Sequence, residues 1–214
     1  MKKNYLLLFI LMFCFFTANQ LFAEDIAKAT QKKAYEVQAL KLGFGSYLLG
    51  HKLNIGQKKI AEKNPLPVAA SKTWTYKFQD DDIFVVADKK TDLIIGIYKM
   101  QEKALRQDVK AMVGDLMMHF NEPTLLAHDK MIYWAFDKKG KISQAVFEKA
   151  RGTGGIDALA TVKFSSTEPI FREDKKSDKD TLAKDTKETV EKTADIYAII
   201  TSGPLASLFM ARHK

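Results

Sequence analysis

Four histidines, one cysteine and a run of three aspartates are the residues of this chain best suited to chemistry. His51, His119 and His128 are scattered, and none lies three or four residues from another histidine. Metal ligands on one element usually show that spacing, so no metal site is expected. His119 and Glu122 could meet at a helix end, where a histidine also finds the terminal carbonyls. His213 sits near the last residue. For nucleophilic catalysis there is no Gly-x-Ser-x-Gly, and Ser46 in Gly45-Ser46-Tyr47 lacks the second glycine. Calcium loops alternate their ligands and carry a glycine, so Asp80-Asp81-Asp82 reads as a solvated turn. Arg151-Gly152-Thr153-Gly154-Gly155 could offer backbone amides to an anion. Phosphate loops follow a strand and open a helix, whereas this run precedes a strand. No catalytic residue and no cofactor are therefore expected.

Aromatic residues carry more information. In Met131 to Phe136 both sides of a strand would be apolar, with Met131, Tyr133 and Ala135 on one and Ile132, Trp134 and Phe136 on the other. A sheet covered on one face alternates with polar residues. The second side is therefore either covered by the other of two modules or is a binding surface. Tyr76, Tyr133 and Trp134 are the expected partner-binding residues, since Tyr and Trp are favoured interface anchors.

The elements that would position these residues follow from periodicity. Asp25 to Leu40 and Gln57 to Lys63 read as helices, the second ended by Asn64-Pro65. Thr73 to Phe78 alternates as a strand with Trp74, Tyr76 and Phe78 on one side. Leu105 to Phe120 carries a helical stripe of Leu105, Val109, Met112, Val113, Leu116 and Phe120. Leu159 to Phe164 and the stretch from Tyr197 read as strands. Ser202 and Pro204 start a last helix.

Phe84 to Tyr98 and Tyr133 to Phe147 match at an offset of 49 residues, sharing Asp-Lys-Lys at 88–90 and 137–139. Each reads as a hairpin, with Gly140 supplying the turn in the second. The repeat predicts an α+β fold of two tandem related modules, each a helix plus an antiparallel sheet, over 24–104 and 105–214. Arg172 to Lys192 is almost purely charged and polar, with seven basic and seven acidic residues. It reads as an insertion at about 172–194, either a solvated helix or disordered.

Residues 1–23 read as a cleavable signal peptide: Lys2 and Lys3, a short apolar run, then a cut near Ala23. The only cysteine, Cys14, falls inside it, so the exported chain would have no thiol and no disulfide. The formal charge is +8, or +6 once Lys2 and Lys3 are removed. That balance suits anionic partners, an acidic protein face or weak anionic membrane-surface contact. No nucleic-acid role is expected of an exported chain without a dense basic stripe.

The twofold order of helix, Pro-containing loop and antiparallel strands resembles the duplicated fold of the secreted β-lactamase-inhibitor proteins. Leu49-Gly50-His51-Lys52-Leu53-Asn54-Ile55-Gly56-Gln57 before a short helix is similar to the small outer-membrane assembly lipoproteins, the small-protein-A family. The lipidation cysteine of the latter is missing, and the charged insertion belongs to neither pattern. The resemblance implies binding of another envelope or secreted protein rather than catalysis. The reading is of a periplasmic or secreted, non-catalytic protein-interaction or envelope-assembly factor. The alternative is a hydrolase or small-ligand-binding protein with a site between the modules. A pocket joining one of the histidines to an acid would favour that alternative.

Overall fold

Strict alternation builds the strands of this chain: in 160–166 and 194–201 every second residue is buried. The computed structural model describes residues 24–68, 74–151, 155–171 and 192–213. The expected signal peptide with Cys14, part of the glycine run at 152–154, and the charged insertion up to residue 191 lie outside these.

Among the described residues ten strands follow in chain order. β1 (Gly43–Phe44) and β2 (Tyr47–Leu48) pair with each other in a small ribbon. The other eight are β3 (Thr75–Asp80), β4 (Ile83–Asp88), β5 (Ile94–Ala104), β6 (Leu125–Ala127), β7 (Met131–Asp137), β8 (Gly140–Lys141), β9 (Ala160–Ser166) and β10 (Ala194–Thr201). They form one sheet in the order β3-β4-β5-β10-β9-β7-β6, with β8 beside β7, and every pairing is antiparallel. Five helices accompany the sheet among the described residues: α1 (24–38), α2 (Ile55–Lys63), α3 (Arg106–Phe120), α4 (Gln144–Arg151) and α5 (Gly203–Arg212).

Directly opposed residues on neighbouring strands share a face. The register therefore strings Phe78, Val85, Ile97, Ile200, Val162 and Trp134 into one row across six strands. All six have no exposed surface. This row is the centre of the core. Helix α3 lays Val109, Val113, Leu116 and Phe120 against the core, and Phe120 meets Trp134 and Phe136 at ring distances of 6.1 and 6.2 Å. Tyr47 arrives from β2, edge-on to Phe78 at 5.7 Å, and donates its hydroxyl to Asp80 at 2.8 Å. Gly50 has φ +76, and a Cβ there would lie 3.1 Å from the Ala34 carbonyl, which is how α1 approaches so closely.

Local chemistry sets the helix ends. Asn54 and Gln57 form a capping box on α2, the side chain of each accepting from the other's main-chain N–H at 2.9 and 3.0 Å. Ser202 caps α5 by accepting from Leu205 N and donates to the Leu159 carbonyl, tying α5 to the start of β9. Beyond β3, the Leu66 N–H donates to the Lys77 carbonyl at 2.7 Å and Pro65 bridges Phe78, so residues 64–66 cover that edge.

Two expectations need correction. The strand groups do not form separate sheets, because β5 and β10 pair along Gly96–Gln101 and Ile196–Thr201. Each would otherwise leave an edge of unpaired N–H and C=O groups. The second expected hairpin also stops early. β8 is two residues long, and 144–151 is helix. Gln, Ala, Glu, Lys and Arg there are strong helix formers, and Ser143 sits at the cap, where its hydroxyl accepts from Val146 N at 3.4 Å.

His213, placed near the end of the sequence, is instead tightly packed. Its ring stacks on Trp74 at 4.9 Å and 6° and touches Phe209 at 4.8 Å. Beside it Arg212 is paired with Asp88, which is fully buried and also accepts from the Thr91 hydroxyl and from Lys90 N at 3.1 Å. The end of α5 is thus pinned to the end of β4 by a buried charge pair. Arg212→Ala removes the guanidinium partner of that buried carboxylate while leaving its Thr91 and Lys90 hydrogen bonds, and the expected loss is about 3–5 kcal/mol in urea unfolding. A loss below about 1 kcal/mol would show that solvent relieves Asp88. Burial, and secondarily Asp80, pushes the Tyr47 phenol up. Its neutral form is the one favoured in the fold, so its contribution is complete below about pH 10 and is lost as pH rises further. Urea midpoints between pH 8 and 11 are expected to fall less steeply in Tyr47→Phe.

Candidate functional site

Each residue of the buried row has a chain neighbour pointing to the other side of the sheet. Those neighbours form a second row, Gln79, Phe84, Tyr98, Ile199, Lys163, Tyr133 and Leu125. All are half-buried except Phe84, which retains 9% exposure. Lys77, Val86, Gly96, Thr201, Thr161 and Ala135 flank this row on one side. Met100, Tyr197, Ser165 and Met131 flank it on the other. The sheet therefore presents a broad face rich in Tyr, Phe, Met and Ile that is not sealed like the core.

Several of its side chains are held by contacts with one another. Phe84 and Tyr98 stack at 4.6 Å and 7°. The Lys163 ammonium lies 5.7 Å from the Tyr133 ring centre, within reach of a cation–π contact. The Tyr133 hydroxyl donates to Met131 Sδ at 3.7 Å, and the Thr161 and Thr201 hydroxyls share a bond at 3.4 Å. Desolvation pushes the Tyr98 phenol above its ordinary range. Ordered aromatic side chains lose little freedom on binding, which suits an anchor.

Of the three aromatic residues expected to contact a partner, only Tyr133 lies on this face. Tyr76 shares the core side with Phe78 and is half-buried, with Lys89 5.7 Å from its ring. Trp134 is in the buried row and donates its indole N–H to the Asn121 carbonyl at 2.8 Å. It offers no surface, because β7 turns its even-numbered residues to the core. Phe84, Tyr98, Tyr197, Ile199 and Lys163 were not expected in a site. Parity was the available signal: 84, 98, 199, 163 and 133 are each one step from a buried residue of the central row.

A second feature lies on the core side. A cleft of about 400 Å³ opens between α3, the β1–β2 ribbon and the end of β5. Asp108, Asp115 and His119 line it from α3, with Asp82, Lys99 and Phe44 opposite. Lys99 binds Asp82 at 2.8 Å and lies 5.5 Å from the Phe44 ring centre. Asp108 accepts from Leu105 N at 2.8 Å. His119 packs edge-on to Phe120 at 4.6 Å. The cleft joins one histidine to carboxylates, and His51 and His128 are elsewhere. Among the described residues no three His, Cys, Asp or Glu side chains are arranged to hold a metal, and no helix is long and apolar enough to cross a membrane.

Comparison with known proteins returned no matching family model, no matching curated protein and no matching solved structure.

The two sides of β7 give a direct check. Trp134→Ala empties a fully buried site beside Phe120, with an expected loss of about 3–5 kcal/mol. Tyr133→Ala, one residue away, is expected to cost about 1 kcal/mol or less, the scale of a cross-strand pair. Urea denaturation of both variants measures the difference; equal losses would mean that the Tyr133 side is sealed.

Proposed function

We propose that this chain is an exported, non-catalytic protein that binds another envelope or secreted protein through the open face of its sheet. The observation that carries the reading is the ordered row of Phe84, Tyr98, Ile199, Lys163 and Tyr133 opposite the core row. Interface cores are enriched in Tyr, Phe and Met, and a rigid sheet positions them. The Lys2-Lys3 start and the apolar run after it support export to the periplasm or beyond. The resemblance to the inhibitor and assembly-lipoprotein families points to the same role.

We further propose that the halves are related modules. Outward from the β5–β10 pair the sheet reads β4, β3 on one side and β9, β7 on the other. Each half contains a helix followed by three long strands, α2-β3-β4-β5 and α3-β7-β9-β10, the second half carrying β6, β8 and α4 in addition. The 49-residue offset instead aligns β4 with β7, so the support comes from the order of elements rather than from the repeated Asp-Lys-Lys.

The second reading is a small-ligand site in the α3 cleft. It is favoured by the meeting of His119 with Asp108 and Asp115 in one cavity. A volume of about 400 Å³ is within the range of small-molecule sites.

The experiment is to recover partners from envelope extract on immobilised chain, with Tyr98→Ala/Tyr133→Ala and Asp115→Asn/His119→Ala variants alongside. One stoichiometric protein is expected on the parent and on the cleft variant, reduced at least tenfold on the tyrosine variant. Equal recovery on the tyrosine variant would remove the open face from the function. Loss only on the cleft variant would move the function to α3.

A further inference from the structure

We infer that the partner of the open sheet face is a protein surface or extended segment that brings carboxylates about an apolar stretch; this rests on the sheet-face reading above. The three rows of that face carry two charged side chains, Lys77 and Lys163, and no aspartate or glutamate; Asp195 and Glu102 lie beyond Tyr197 and Met100 at one end. Among the described residues neither lysine lies within salt-bridge distance of a carboxylate. Lys163 has an aromatic ring as its neighbour instead. Both lysines are half-buried, so each keeps some access to solvent in the free protein. Covering the face removes that access, and an unpaired ammonium in a dry interface is strongly unfavourable. A wholly apolar or basic partner would therefore lose much of what the aromatic contacts supply. A partner with carboxylates opposite the lysines keeps the apolar contacts and pairs both charges.

The sheet also sets the spacing. Lys77 is on β3 and Lys163 on β9, with β4, β5 and β10 between them. At the usual separation of neighbouring strands, and one row apart, the two lysines are roughly 20 Å from each other. An extended segment covers that span in about six residues. The middle of the segment then lies over Phe84, Tyr98 and Ile199. The net charge of +6 that remains once Lys2 and Lys3 are removed would help draw such a partner in.

A lipid surface is the competing source of negative charge, and the shape of the face argues against it. Its aromatic side chains are buried or half-buried among their neighbours rather than fully exposed as wedges. Two lysines near anionic headgroups would contribute only about 1 kcal/mol each.

The test is selection of a phage-displayed random 12-residue library on the full chain. Retention of the enriched peptides is then measured on Lys77→Glu/Lys163→Glu and on Tyr98→Ala/Tyr133→Ala, each shown by circular dichroism and urea midpoint to be folded. The expected peptides carry two acidic residues separated by apolar ones. Their retention falls at least tenfold on both variants. Peptides lost on the tyrosine variant but indifferent to the lysines would overturn the acidic partner and leave the sheet-face reading standing. Peptides indifferent to both variants, or no enrichment over the bare support, would overturn both. Vesicles of phosphatidylcholine with phosphatidylglycerol form the last arm. Binding to them that depends on the lysines, without acidic peptides, would replace the protein partner by lipid. Absence of such binding is the expected result.

Discussion

The pairing of β5 with β10 is the constraint on which the rest of the molecule depends. It places Ile97 against Ile200 in the middle of the buried row and Tyr98 against Ile199 in the middle of the open one. These strands are almost a hundred residues apart in sequence. Closing so long a loop costs entropy that only slowly increases with length, and the ladder offsets it with a continuous core. Each of Phe78, Val85, Ile97, Ile200, Val162 and Trp134 is removed from water. Complete burial of such side chains stabilises by about 1.5–3 kcal/mol each. Without the central pair, that row would break into two short pieces.

The two faces are consequences of one alternation. A single step along a strand separates a core residue from a surface residue, so a slip of one residue would exchange them. Trp134 and Tyr133 show how much hangs on that step. One has its indole bonded to the Asn121 carbonyl beneath α3, and the other lies under a lysine on the open side. Register is protected by groups that cannot be exchanged cheaply. The Thr124 hydroxyl is buried, donating to the Ile142 carbonyl at 2.6 Å and accepting from Ala135 N at 3.0 Å. The Asp88–Arg212 pair similarly fixes α5 against the sheet.

Local pattern made much of the fold legible. The stripe on α3, the Asn-Pro stop after α2 and the Ser202–Pro204 start of α5 are short-range signals, and the elements formed within a few residues of them. The strands at 75–80, 160–166 and 194–201 were equally readable from alternation. What could not be read was pairing between distant strands, because nothing local in β5 names β10 as its neighbour. Without that pairing, two sheets looked natural and the correct side of β7 could not be chosen. Trp134 was placed at a surface because a large aromatic residue fits a core or an interface equally well. The helix at 144–151 was missed for a different reason. Val146 and Phe147 sit in step with Ile97 and Tyr98 in the repeat, and that likeness outweighed the helix-forming residues around them. The packing of His213 depends on Trp74, Asp88 and Phe209 meeting in space, and no sequence spacing announces it.

The covered edge of β3 also limits how this protein can misbehave. Residues 64–66 take up its outward hydrogen-bonding groups through Leu66, and Asn64 accepts from Gln79 N at 3.4 Å. At the far end β6 is only three residues long, and His128 follows it with φ +58, bending the chain out of the extended path. Strand-by-strand polymerisation, the route by which open sheets grow into fibrils, therefore meets a blocked terminus at one end and a poor template at the other. An aromatic face of this breadth would be hazardous on a sheet with free edges; here it can be displayed without seeding its own aggregation.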